Sequence, residues 1–384
     1  MRYKGVKYQI PFNRPHLTGK EVDYIKNAQK LGQLSGDGYY TKRCHGWLEH
    51  NLNCKKAFLT HSCTAALAMS ALLAKVSSED EVIMPSFTFV STANAFVLRG
   101  ATPVFVDIRE DTLNINEKLI EQAINKNTKA IVVVHYAGVA CEMGVIRKIA
   151  NKHGLFLIED AAQGLLSKYK DQYLGTFGDL GTLSFHETKN VISGEGGALL
   201  INNPKLIERA EIVREKGTNR SKFIRGEVDK YNWIDLGSSY LPGETTSAFL
   251  MAQLEKAKTI TRKRRSIWGK YHSLLKPLEK KGLLRRPIVP DACFHNGHLY
   301  YILLPNMKVR DGLIKYLRKN GILSVFHYVP LHDSPGGVKY AKTSGRMKIT
   351  ENTWKRLVRL PLYYDLKKTD VEYITHHIFK FFKK

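Results

Sequence analysis

Between residues 56 and 201 the chain alternates short apolar runs with longer segments of helical spacing. The runs fall at 57–59, 81–85 (EVIMP), 103–108 (PVFVDI), 130–136 (AIVVVHY), 155–163 (LFLIEDAAQ), 181–185 (GTLSF) and 197–201 (GALLI). Between them the spacing predicts helices opening at Ser62 to Thr64 and reaching Leu73, in FVSTANAFVLRG, in NEKLIEQAI and in EMGVIRKIANKHG. Strands that are almost continuously Val, Ile and Phe are buried on both faces, and strand–helix alternation builds a mostly parallel sheet with right-handed crossovers. Ligands of such sheets sit at the carboxyl ends of the strands. That rule singles out Ser62 to Thr64, Ser86 to Phe89, His135 to Gly138, Asp160 to Gln163 and His186 to Asn190.

The flanks carry different patterns. TGKE at 18–21 reads as a capping box, with Val22, Ile25, Ala28 and Leu31 at helical spacing until Gly32. A second helix is expected from Thr41 towards Leu52. After Asn202 come a helix at about 205–215 and a long link with few periodic signals, of a length that tends to be functional or to reach a partner chain. One helix is then expected from Glu244 to about Leu275, with RKRR at 262–265 as a solvated face. Further on, the pattern predicts a strand at 298–304, a helix at 310–320, a strand at 322–328 and a last helix from Thr369. The whole reads as an α/β fold in two parts, a large domain at 1–256 and a smaller α+β domain at 257–384.

Charge and cysteines narrow the function classes. The 384 residues hold 60 Lys and Arg against 35 Asp and Glu, a net charge of +25. The basic residues are spread along the chain without zinc-finger, basic-zipper or RNA-binding spacing, so an anionic small substrate is expected and nucleic acid is not. Five cysteines, an odd number with no C-x-x-C pair, fit a reducing cytoplasm. The first residues lack the apolar core of a signal peptide, and the most apolar run, 130–134, is far too short to span a bilayer. No membrane partner is expected.

Candidate chemistry centres on Lys189, in a loop between two strand-like runs. Ser62, Cys63 and Thr64 open a helix behind a strand, where unpaired N–H groups and the helix dipole suit a phosphate. Ser62 could equally be a plain N-cap, and Cys63 a thiol activated at a helix start. Asp160 follows an apolar strand and needs a partner, either backbone N–H groups or a protonated ring nitrogen. Phe89 could stack on a flat ring or belong to the core. Together these features describe pyridoxal phosphate: a ring with a protonated nitrogen, a phosphate and a Schiff-base lysine. Histidine pairs at 295/298 and 327/332 lack the ligand partners of a metal site, so none is expected. SGEGG has neither the P-loop lysine nor the dinucleotide pattern.

With SCTAALAM, PSFTFVSTANAFV, VHYAGVACEM, EDAAQG, SFHETKN, REKGTNRS, GSSYLP, FHYVPLH and RLPLYY, the sequence resembles the fold-type I pyridoxal-phosphate-dependent nucleotide-sugar aminotransferases over nearly its whole length. Within them it is most similar to the dTDP-4-amino-4,6-dideoxygalactose transaminases. The resemblance implies an aspartate-aminotransferase-like large domain. It implies that Lys189 carries the cofactor as a Schiff base and that Asp160 pairs with the pyridine nitrogen. Gln163 would contact the ring hydroxyl and Phe89 would stack on the ring, while Cys63, Thr64 and Ser184 would hold the phosphate. His327 would face the substrate. A homodimer with shared sites is implied, in which GSSY at 237–240, with Ser239, reaches the neighbour's cofactor phosphate. The substrates would be L-glutamate and a dTDP-4-keto-6-deoxy sugar. Relatives that act as keto-sugar 3-dehydratases place His where Lys189 stands, which disfavours that activity, as the pair Lys189 and Asp160 disfavours a non-catalytic basic binding protein. The segment PGETT at 242–246 departs from the family pattern and leaves the contribution of Glu244 open.

Overall fold

The computed structural model describes residues 9–383 in full and the backbone of residues 2, 3, 6 and 7. Its centre is an eight-stranded sheet in the order Lys342–Thr343, Thr102–Val106, Glu81–Pro85, Thr128–Val134, Phe156–Asp160, Leu180–Ser184, Gly197–Ile201, Lys56–Thr60. Gly197–Ile201 runs antiparallel to both neighbours, and the other pairings are parallel. Side chains alternate across the strands into two cores. Ile83, Val104, Ile131, Val133 and Leu157 face one, while Val82, Met84, Phe105, Val132 and Ile158 face the other. Mostly parallel order follows from the helices between strands, among them Cys63–Leu73, Val90–Val97 and Met143–Lys152.

A third core gathers Tyr271, Tyr300, Ile302, Leu313, Val358 and Ile374 from the C-terminal part together with Ile10. Here Tyr300–Leu303 pairs antiparallel with Leu357–Leu360, beside the helices Met307–Lys319 and Lys368–Phe382. The edge strand Lys342–Thr343 also comes from this part of the chain.

Several expectations need correction. NEKLIEQAI forms two 3-10 turns, Glu117–Leu119 and Glu121–Ala123, in which the amides of Leu119, Ile120, Ala123 and Ile124 donate to the third residue back instead of the fourth. Residues 322–328 form an extended arm held by two isolated bridges, Ile10 with Ile322 and Val325 with Arg359, since a cavity lies where a neighbouring strand would pair. The long helix is two, Glu244–Glu255 and Ala257–Lys280, because the first packs beside Glu21–Lys30 and Tyr39–Leu52 while the second crosses to the C-terminal core. Within RKRR, Arg264 is buried rather than solvated, and it donates to the carbonyls of Gly297, His298 and Leu362. In the first helix the expected stripe is reduced to Ala28 and half-buried Ile25, with Val22 and Leu31 exposed. The Glu21 carboxylate there turns back to accept from the Thr18 and Gly19 amides at 2.7 and 2.9 Å.

Candidate active site

A cavity of about 840 Å³ opens over the carboxyl ends of the sheet strands. One wall is the start of the helix Cys63–Leu73. Ser62 caps it by accepting from the Ala65 amide at 3.1 Å, while the first two amides, of Cys63 and Thr64, find no acceptor among the described residues. Gly197 lets the neighbouring strand approach that close: a Cβ there would stand 2.4 Å from the Cys63 nitrogen. Thr64 Oγ1 donates to Ser91 Oγ at 2.8 Å, and Ser184 lines the same space from its strand end. Burial pushes the Cys63 thiol well above its ordinary value, so it stays protonated and the activated-thiol alternative falls.

Asp160 ends its strand on the cavity side, buried. Its Oδ2 accepts from Thr92 Oγ1 at 2.7 Å and its Oδ1 from the Ala162 amide at 3.1 Å. Thr92 is itself paired with Thr88 at 2.8 Å. The preceding residue, Glu159, points to the opposite face as strand alternation requires. There it accepts from His135 Nε2 at 2.9 Å and from the amides of Gly175, Phe177 and Gly178. His135 Nδ1 accepts from the Cys141 amide at 3.2 Å, which assigns the proton to Nε2. The strand end carrying Asp160 is thereby bolted to the structure beneath it.

Lys189 sits in a turn closed by its own amide donating to the His186 carbonyl at 2.9 Å, and it lines the cavity half-buried. Its ammonium has no hydrogen-bond partner among the described residues. Burial pulls its pKa below the ordinary value; Asp160 opposes that shift and Arg359 adds to it. The next residue, Asn190, is held by donation to the Asn296 carbonyl at 3.0 Å and by His298 Nδ1 at 3.1 Å.

The arm 322–328 and the strand Leu357–Leu360 form the roof. His327 stacks on Tyr328 with ring centroids 3.6 Å apart, and its Nδ1 lies 2.7 Å from Tyr136 Oη. Burial drives the imidazole pKa far down, so the ring is neutral. With no other acceptor among the described residues, the Tyr136 hydroxyl donates to Nδ1 and leaves Nε2–H available. Tyr328 adopts φ 29°, a left-handed strain of the sort found at ligand sites. Its hydroxyl accepts from Gln163 Nε2 at 3.0 Å, and Gln163 Oε1 accepts from the Ala137 amide at 2.7 Å.

Residues 15–379 match the model of the DegT/DnrJ/EryC1/StrS aminotransferase family. An uncharacterized protein of Methanocaldococcus jannaschii is 34% identical, over 94% of this chain and 95% of that protein. The spore coat polysaccharide biosynthesis protein SpsC of Bacillus subtilis is 31% identical over 94% of each. The Helicobacter pylori aminotransferase PseC, involved in the biosynthesis of pseudoaminic acid, superposes with a TM-score of 0.89 at 27% identity, over 98% of this chain and 100% of that one. The chain belongs to the DegT/DnrJ/EryC1/StrS aminotransferase family. It is a pyridoxal-phosphate-dependent sugar aminotransferase with the aspartate-aminotransferase-like fold.

The aminotransferase cavity suits that cofactor on its own terms. Two free amides at a helix start fit a phosphate, a fixed carboxylate fits a protonated ring nitrogen, and an unpartnered lysine of lowered pKa fits a carbonyl. Cys63, Thr64, Phe89, Asp160, Gln163, Ser184, Lys189 and His327 all line this one space. Ser239 does not: it is exposed, bridged to Glu215, on the long link. The sequence reading missed Thr92, Tyr328 and Arg359, and gave no role to Tyr136 inside the flagged stretch His135 to Gly138. A signal existed for Arg359, the single charge in the strand LVRL, and for Tyr328, beside His327 in FHYVPLH. Thr92 and Tyr136 act through partners 68 and 191 residues away, so their roles leave no local mark.

Proposed function

We propose that this aminotransferase moves the amino group of L-glutamate to C4 of a dTDP-4-keto-6-deoxyhexose, giving dTDP-4-amino-4,6-dideoxygalactose for a surface polysaccharide or other glycan. The observation that carries the reading is Lys189 and Asp160 facing one cavity beneath the neutral His327. The spore coat polysaccharide and pseudoaminic acid biosynthesis in the names of SpsC and PseC support the substrate class. Bound pyridoxal phosphate supplies an electron sink for the charge left on carbon when a C–H proton departs. The chain's own residues do the rest. Lys189 Nζ, neutral more readily because desolvation lowers its pKa, takes the proton from the donor carbon and returns it to the carbon on the other side of the reacting nitrogen. Asp160, oriented by Thr92, holds a proton on the ring nitrogen. His327 Nε2–H donates towards a sugar oxygen, and the roof of Phe326 to Tyr328 excludes water. Phe89 would stack on the ring, Gln163 would meet its hydroxyl, and Cys63, Thr64 and Ser184 would receive the phosphate.

The enzyme works as a homodimer in this reading, with Ser239 of the exposed link completing the neighbour's phosphate site. All five cysteines are free, which supports a cytoplasmic setting. The decisive experiment incubates the enzyme with L-glutamate and dTDP-4-keto-6-deoxyglucose and reads the product by NMR and mass. Expected is a C4 amine in the galacto configuration. A product that has lost water without gaining nitrogen sinks the reading in favour of dehydration.

A further inference from the structure

A second cavity, of about 480 Å³, opens beside another face of the helix Ala257–Lys280, and it shares no lining residue with the active site. Its floor is a small antiparallel sheet of Cys293–Phe294, Lys168–Tyr169 and Gln172–Tyr173, whose register sets Phe294, Lys168 and Tyr173 in one row. Its wall is the helix face carrying Lys258, Thr261, Arg262 and Arg265, spaced as side chains that neighbour one another along one side of an α-helix. Lys170 adds a charge from the turn between two of the strands, where its φ of 53° is held by its amide donating to the Ala292 carbonyl. Five cations therefore meet one carboxylate, Asp171, around one hollow.

None of the five has an acidic partner among the described residues, nor has Asp171 a basic one, although Arg109, Arg209, Arg225 and Arg286 are all ion-paired. The Arg265 guanidinium lies 3.8 Å from the centre of the Phe294 ring, and its Nε is closed off from solvent without an acceptor. Scattered over a convex surface such cations are well hydrated, whereas gathered round a hollow they repel one another through poorly screened space. An anion bound between them turns that repulsion into attraction.

The lining also bears on which anion fits. The volume exceeds what a lone phosphate fills and falls in the range of small-molecule sites. Phe294 is 41% exposed, so its ring and the guanidinium stacked on it offer a flat platform of the sort that takes a nucleobase. Asp171 can accept from a base amino group or a sugar hydroxyl, which leaves Lys168, Lys170, Lys258 and Arg262 for phosphates. A lone pyrophosphate has no ring to place, and a dicarboxylate has neither the ring nor the charge to match.

We infer that this cavity is a second ligand site, separate from the active site, for a nucleoside di- or triphosphate. The inference stands whichever sugar the active site takes. The nucleotide arrives either free or as the head of a nucleotide sugar, and the two sources are told apart by competition.

The test uses the holoenzyme, its Lys258→Ala/Arg262→Ala double variant, and a control, Lys276→Ala/Lys280→Ala, which removes the same charge from exposed positions of the same helix outside the cavity. ATP binding is measured by calorimetry at about 50 mM salt, where surface charge is weakly screened. The cavity variant should bind about 10- to 100-fold more weakly, the loss expected for contacts to a charged group, and the control within about twofold of wild type. Both variants should melt with wild type, since all four side chains are exposed. Irradiated azido-ATP should label peptides containing residues 166–173, 258–265 or 291–294. ATP should chase that label at least about 10-fold more effectively than pyrophosphate, which lacks the stacking ring. A label chased better by ATP than by dTDP-glucose marks a site for free nucleotide, and the reverse order one for a nucleotide sugar. Equal weakening in the two double variants reduces the effect to net charge and overturns the site. So does a label confined to peptides of the active site, and pyrophosphate competing as well as ATP overturns the nucleotide.

Discussion

At the scale of single residues, the half-buried Lys189 sets a dependence on pH that a surface lysine would not. In cofactor-free protein, burial holds the Lys189 ammonium below its ordinary 10.5. The folded state therefore loses this proton at lower pH than the unfolded chain, which binds more protons between the two values. Stability from this group rises as pH climbs through that window. Below it, the cost of a buried charge is present in full. Lys189→Met removes the cost, so the cofactor-free variant should melt above wild type at pH 7, the gap closing as pH approaches 10.5. Equal melting temperatures at pH 7 would contradict the burial. Thr92 gives a second prediction. Thr92→Val deletes the hydroxyl that orients Asp160 Oδ2, and kcat should fall about tenfold with the KM for glutamate unchanged, while Thr92→Ser recovers most of the loss. Asp160 could be read from the sequence because it ends an apolar strand, and Lys189 because it stands in the loop between two strand-like runs. The hydroxyls of Thr92 and Tyr136, which orient Asp160 and His327, could not, since their partners are distant in sequence.

At the scale of elements, Glu244 explains a stretch that pattern alone left open. It begins the helix Glu244–Glu255, yet its buried carboxylate serves another helix, Tyr39–Leu52. It accepts from the amides of Gly38, Tyr40 and Thr41 at 3.1, 2.7 and 3.1 Å, and from the Thr41 hydroxyl. The start of Tyr39–Leu52 has neither an acidic residue in its first turn nor a capping side chain of its own. Glu244 supplies from afar what local capping does elsewhere. Glu244→Ala should cost about 3 kcal/mol, since it leaves several buried amides unpaired, and should lower the melting temperature accordingly. A change within about 0.5 kcal/mol would refute the role. This also marks the limit of pattern reading. The seven strand signals from residue 57 to 201 reflected buried faces and appeared where expected. The misread segments 322–328 and NEKLIEQAI were settled by strand pairing and by which carbonyl each amide reaches, which no local periodicity encodes.

At the scale of the whole molecule, charge and exposed apolar surface pull against each other. The link from residue 218 to 240 leaves Phe223, Ile224, Tyr231, Trp233, Ile234 and Leu236 open to solvent, with Trp233 78% exposed. A patch of that kind marks an interaction surface, and a second copy of the chain is the partner proposed above. Each copy carries a net charge of +25, so bringing two together works against Coulomb repulsion as well as lost freedom. Salt screens the repulsion over about 10 Å at 0.1 M, while apolar burial hardly responds to such concentrations. The dimer should therefore tighten between about 10 mM and 150 mM salt, the reverse of an interface held by opposite charges. Sedimentation across that range reads the sign directly, and weakening with salt would exclude an apolar interface of like-charged copies. Replacing Trp233 and Ile234 together by alanine should weaken self-association about 100-fold without lowering the monomer's melting temperature, because both side chains are exposed in the single chain. Cofactor affinity should fall with it if Ser239 reaches the neighbour's phosphate site. A monomeric variant that retains full cofactor affinity would detach the link from the active site.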